Sequence, residues 1–144
     1  MIEGSKEKPI AGGCQCGAVR YEIAGQPVAL YVCHCRECRK QSASAFGISL
    51  IVRRTDFRFT RGSTRRWSRR TDSGRILHCA FCPDCGSRLV HEGGPEREVI
   101  SVKGGSVDQP LDLSEAVHIW TTRKLPGVLI PEHAEQFPQE PDED

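Results

Sequence analysis

The chain of 144 residues carries a net charge of +1, with 38% hydrophobic and 27% charged residues. That is enough for one domain with a real core, and it lacks the global field that draws proteins to nucleic acid or membrane surfaces. No apolar run is long enough to span a bilayer, and Met1 to Pro9 is polar, without the apolar stretch of a secretory signal, so a cytoplasmic location is expected. In a reducing compartment the eight cysteines read as metal ligands or redox groups rather than disulfides.

Residues 1–12 read as a flexible leader, with Gly4, Ser5, Lys6, Glu7, Lys8 and Pro9 offering little to bury. From there the apolar pattern has mostly period two, the mark of half-buried strands. Val19, Tyr21 and Ile23 alternate with Arg20 and Glu22. Leu30 and Val32 flank Tyr31, and Phe46, Ile48 and Leu50 flank Gly47 and Ser49. A single helical turn is expected across Glu37 to Ser42. Phe57 and Phe59 alternate next, then comes a β-prone run from Val99 to Val102, and then Val117, Ile119 and Thr121. Turn chemistry separates these runs at Gly25-Gln26-Pro27, Arg61-Gly62-Ser63, Asp72-Ser73-Gly74 and Gly93-Gly94-Pro95. The expectation is a mainly β, antiparallel domain over residues 13–130, followed by an acidic, proline-rich tail over 131–144 with Glu135, Glu140, Asp142, Glu143 and Asp144.

Three cysteine clusters carry the chemistry. In Cys82-Pro83-Asp84-Cys85-Gly86 two residues between thiolates let both sulfurs face one ion, and the glycine relieves the turn that follows. A closed zinc site needs four ligands. Cys14 and Cys16, on the same face of an extended segment and followed by Gly17, form the natural second pair. Cys14, Cys16, Cys82 and Cys85 would then close a long loop, as a structural zinc does. Cys33, Cys35 and Cys38 remain. Three thiolates on an ion leave one position open, which is the ligand count of catalytic zinc. Other groupings are open at this point. Cys79, His34 or His78 can complete the second tetrahedron, and Cys33, Cys35, Cys38 and Cys79 can form a second closed site. A redox role for the Cys82–Cys85 pair lacks its βαβ setting, and iron–sulfur ligation is allowed by ligand type, with zinc favoured for a small β-protein. His34, between two ligand cysteines, should point away from the ion.

Nine arginines fall between Arg53 and Arg75. They read either as a solvated strand face or as a patch for carboxylates, which guanidinium binds in bidentate fashion. A nucleic-acid reading, with Trp67 and Phe57 stacking, is weakened by the near-neutral charge and acidic tail. Edge strands leave room for a homodimer.

In order, Gly13-Cys14-Gln15-Cys16-Gly17, Cys33-His34-Cys35-Arg36-Glu37-Cys38-Arg39 and Phe81-Cys82-Pro83-Asp84-Cys85-Gly86-Ser87 resemble the glutathione-dependent formaldehyde-activating enzyme family, also called the GFA or centromere protein V domain family. Val102 to Asp108 and His118-Ile119-Trp120 resemble its C-terminal half, so the likeness runs roughly from Ala11 to Val128. It implies a small Mss4-like, tent-shaped β fold with two zinc ions. A structural zinc would sit on Cys14, Cys16, Cys82 and Cys85, and a catalytic zinc on Cys33, Cys35 and Cys38. It also implies a carbon–sulfur lyase that joins formaldehyde to the glutathione thiol to give S-hydroxymethylglutathione, or the reverse. The family's centromere-protein branch instead suggests a zinc-stabilised module that binds a protein or nucleic-acid partner through the arginine-rich face. Two features depart from the pattern. Ser42-Ala43-Ser44 stands where the family often has Ser-Gly-Ser, and Cys79 is extra.

Overall fold

The computed structural model describes residues 1–141. Its strands are β1 (Ile10–Gly13), β2 (Arg20–Ile23), β3 (Ala29–Cys33), β4 (Gly47–Arg53), β5 (Phe57–Arg61), β6 (Arg65–Arg70), β7 (Ile76–Phe81), β8 (Arg88–Glu92), β9 (Val99–Lys103) and β10 (Val117–Ile119), with helix α1 (Arg36–Ser42) after β3. A small sheet has the order β1-β2-β5, and a large one the order β10-β3-β4-β9-β8-β7-β6. The expected mainly β fold is present. Every pairing is antiparallel except β10 beside β3. These two strands are far apart in the chain, so a parallel pairing is sterically open to them. Among the described residues no helix is long and apolar enough to cross a membrane.

Period two explains the layers. Leu30 and Val32, Leu50 and Val52, and Ile100 and Val102 point from one face of the large sheet into a core shared with Ile10, Tyr21 and Ile23 of the small sheet. The opposite face carries a different row. Cys33 pairs with Gly47, Ser49 with Lys103, Ser101 with His91, His91 with Cys79, and Cys79 with Trp67. Because side chains alternate along each strand, these residues line up across the sheet. The chemistry of the molecule lies on that face.

The structure also corrects the sequence reading. Ile10, Ala11 and Gly12, counted in the leader, belong to strand β1, and Ile10 is buried. Strand β8 had no alternation to announce it, because Leu89, Val90 and His91 are buried in succession. The pairing of β7 with β8 is irregular at Ala80 and Phe81, which breaks the period. Part of the expected acidic tail runs along β10. The Glu135 carbonyl accepts from the His118 amide at 2.9 Å, and the Phe137 amide donates to the His118 carbonyl at 2.9 Å. Glu140 takes a hydrogen bond from the Trp120 indole at 2.8 Å. This segment covers an edge of the large sheet. Asp142, Glu143 and Asp144 lie outside the described residues.

Candidate metal centre and adjoining cleft

Cys14 and Cys16 follow β1, and Cys82 and Cys85 follow β7. Their four sulfurs lie within 4.8 Å of one another. Tetrahedral zinc with Zn–S bonds of about 2.3 Å spaces its sulfurs about 3.8 Å apart. Here Cys14 and Cys16 are 3.6 Å apart, and Cys16 and Cys82 are 3.8 Å apart. The surrounding donors suit thiolates. The Val19 amide donates to the Cys14 sulfur at 3.2 Å and the Asp84 amide to that of Cys82 at 3.4 Å. Gly17 and Gly86 take φ of 80° and 82°, the left-handed turns the two pairs need. The Ser87 hydroxyl and amide, then the Cys16 amide, hold the Cys85 thiol down at about 5. The Ala18 amide favours a Cys16 thiolate, but contact with Cys14 and burial push that thiol up to about 12. Four sulfurs this close do not ionise together unless a cation replaces their protons. The donor set fits zinc.

Cys33, Cys35 and Cys38 form a second cluster, again with sulfurs within 4.8 Å. Cys33 ends β3. Cys35 caps α1, its sulfur accepting from the Cys38 amide at 3.3 Å, so the helix start favours a thiolate there. Contact with Cys33 and Cys38 lowers the Cys35 thiol to about 2. Cys33 is pushed up by contact with Cys35 and Cys38 and by burial. For Cys38, Cys33 acts downward, but contact with Cys35 and burial lift the thiol to about 11. A glycine at 47 makes room for this set, because a Cβ there would lie 3.1 Å from the Cys38 Cβ and 3.4 Å from its sulfur.

Among the described residues no fourth ligand joins the trio. Cys79 is fully buried, and burial raises its thiol while Arg88, Arg69 and Lys103 act in the other direction. His78 hydrogen-bonds Ser68 at 2.7 Å. His34 turns away from the sulfurs, as expected, and its Nε2 meets His118 Nδ1 at 2.8 Å. Both rings are buried, and the outer nitrogens, His34 Nδ1 and His118 Nε2, have no hydrogen-bond partner among the described residues. Sequence reading gave His91 and His118 no role. Strand pairing alone sets His91 between Cys79 and Ser101 on the cysteine face, and His118 beside Val32 on the opposite one.

A cleft of about 760 Å³ adjoins the four-cysteine set and reaches the last turn of α1, the helix that carries Cys38. Cys14 and Cys85 line it, as do Gln41 of α1 and Phe46 beyond the helix. Lys103 and Arg88 line it from the large sheet. None of the arginines from Arg53 to Arg75 does. Several of those meet the protein's own carboxylates instead: Arg54 reaches Glu92 at 2.6 Å, Arg58 reaches Glu22 at 3.0 Å and Arg66 reaches Glu92 at 3.6 Å.

The profile of the glutathione-dependent formaldehyde-activating enzyme family matches residues 9–123. The chain belongs to that family. The match spans both cysteine clusters and the Lys103 turn. A crystal structure of a Rhodobacter sphaeroides protein shares the fold, with a TM-score of 0.57 and 24% identity over 76% of this chain and 99% of that one. Membership in the GFA family ties this chain to glutathione-dependent formaldehyde activation, and its two cysteine clusters are able to hold metal ions.

Proposed function

We propose that the protein is a zinc-dependent carbon–sulfur lyase of the S-hydroxymethylglutathione synthase type, with a structural zinc on Cys14, Cys16, Cys82 and Cys85 and a catalytic zinc on Cys33, Cys35 and Cys38. One observation carries this reading: three sulfurs converge with no fourth protein ligand among the described residues, whereas the other set has four. A zinc ion in the trio supplies Lewis acidity and stabilises a thiolate at neutral pH.

The protein's own residues do the rest. Cys33 and Gly47 hold the trio on two paired strands, and Cys35 anchors it to the start of α1. Three thiolates and a divalent ion sum to one negative charge, and the buried Lys103 ammonium stands near Cys38 and Cys33 to offset it. The adjoining cleft takes the body of the tripeptide. In the addition the glutathione sulfur bonds to the formaldehyde carbon, the C=O π pair moves to oxygen, and the thiol proton ends on that oxygen. Glutathione and formaldehyde thus give S-hydroxymethylglutathione with atoms and charge balanced.

The test is spectroscopic. Cobalt replaces zinc, and glutathione is titrated in. The cobalt–thiolate bands should shift as a fourth sulfur or oxygen enters the trio, and the shift should vanish in Cys35→Ser, which retains about one ion of two. A wild-type spectrum that does not respond to glutathione overturns the reading and favours a zinc-stabilised binding module.

A further inference from the structure

The cleft holds two cations that its own carboxylates leave alone. Lys103 is only 8% exposed, and its Nζ has one hydrogen bond, to the Ser49 hydroxyl at 3.2 Å. An ammonium has three donors, so two are unspent. Arg88 is held in place rather than neutralised. Its guanidinium lies 5.3 Å from the centre of the Trp67 ring, and its Nη1 is 3.0 Å from His91 Nε2. Arginine can only donate, so His91 accepts and stays neutral, in line with burial and the Lys103, Arg88 and Arg69 charges driving its pKa to about 3.

Several other cations meet carboxylates. The third cationic side chain of the cleft, Arg20, is bound by the Asp108 carboxylate. Arg54, Arg58, Arg66 and Arg69 each have a glutamate. Among the described residues neither Lys103 nor Arg88 has a salt bridge to a carboxylate. A buried lysine, whose proton burial disfavours and the Cys38, Cys33 and Cys79 sulfurs favour, and a pre-oriented guanidinium share the wall of one cavity with no carboxylate on either, which suits an incoming anion.

We propose that Lys103 and Arg88 form a carboxylate-binding site, and that it selects thiol substrates carrying a carboxylate over neutral thiols. This rests on the cleft being the thiol's binding place in the reading above. It assigns substrate recognition to two residues of the large sheet and none to the arginine-dense segment. Lys103 couples to Cys38 and Cys33 and also lines the cleft. Arg88 makes its contacts with Trp67 and His91, so a change there tests recognition with the trio cysteines untouched.

The probes are 3-mercaptopropionate, its neutral carboxamide, and S-methylglutathione, which has no free thiol and so needs no metal. Binding is measured by calorimetry on the zinc-loaded protein. The acid should bind the wild type about tenfold or more tightly than the amide, and Arg88→Met should erase that preference and weaken S-methylglutathione by about tenfold or more. Lys103→Met should do the same, with Lys103→Arg restoring part of the preference. Equal binding of acid and amide by the wild type overturns the proposal without any variant. So does a preference that survives in Arg88→Met, or a Lys103→Met protein that loses zinc while keeping the preference. A clear acid preference in a protein that does not turn over glutathione and formaldehyde upholds the carboxylate site while the lyase reading falls.

Discussion

Replacing Gly47 by alanine should damage the trio and spare the four-sulfur set. Gly47 pairs with Cys33 across β3 and β4 and faces Cys38 on α1. The new methyl would stand 2.9 Å from Gln41 Nε2, 3.1 Å from the Cys38 Cβ and 3.4 Å from its sulfur. The Gln41 amide is the end of a flexible side chain and can swing aside. Cys38 is fixed on the helix that Cys35 caps, so relief means moving that helix by a few tenths of an ångström. Metal–thiolate bonds hold their length to about 0.2 Å, so such a shift reaches the limit of the site. Overpacking of this kind costs about 1–3 kcal/mol, which corresponds to roughly five- to 150-fold weaker zinc in the trio. Zinc content after dialysis against chelators of graded strength measures it. One ion should leave Gly47→Ala at a weaker chelator than in the wild type, and the other should stay. Retention of both ions as in the wild type, or loss of both together, refutes the argument.

Other outcomes follow from single features. Ala43 sits at the end of α1 with φ of 51°, where a side chain costs roughly 1–2 kcal/mol; glycine escapes that cost but gives back part of the gain through its looser unfolded chain. Ala43→Gly should therefore raise stability by about 0.5–1 kcal/mol in urea unfolding, and a loss would contradict the left-handed cap. His91 has a folded pKa of about 3 against about 6.5 unfolded. Between these values the unfolded chain binds the extra proton, so stability falls as pH drops from about 6.5, by at most about 1.4 kcal/mol per unit from this group. His91→Gln should show a flatter fall than the wild type over the same window, measured by thermal unfolding, and parallel curves would clear His91 of the effect. An ion on the four sulfurs would tie Cys16 to Cys82, 66 residues apart, and closing a loop of that length is worth about 4 kcal/mol. Cys85→Ser should lower the thermal midpoint far more than Cys35→Ser, and equal losses would remove the distinction between a structural and a working metal.

Much of this protein was legible before any coordinates. Period-two runs through Tyr21, Leu30, Val32, Leu50 and Ile100 mark strands because one face of each must leave water. The close cysteine pairs with their following glycines mark knuckles because sulfur separation depends on local backbone. The left-handed residue Ala43 stands where the family resemblance leads one to expect glycine. Sequence spacing could not say which side chains meet across strands. Strand β8 hid behind an irregular pairing, the segment past Glu135 returned to an open edge, and Arg88, His91, Cys79 and Lys103 shared no motif. They became neighbours only when three strands paired in register. Local geometry reads from neighbours in the chain, whereas a binding site made by a sheet depends on contacts between residues distant in sequence, whose register is set by burial of the opposite face.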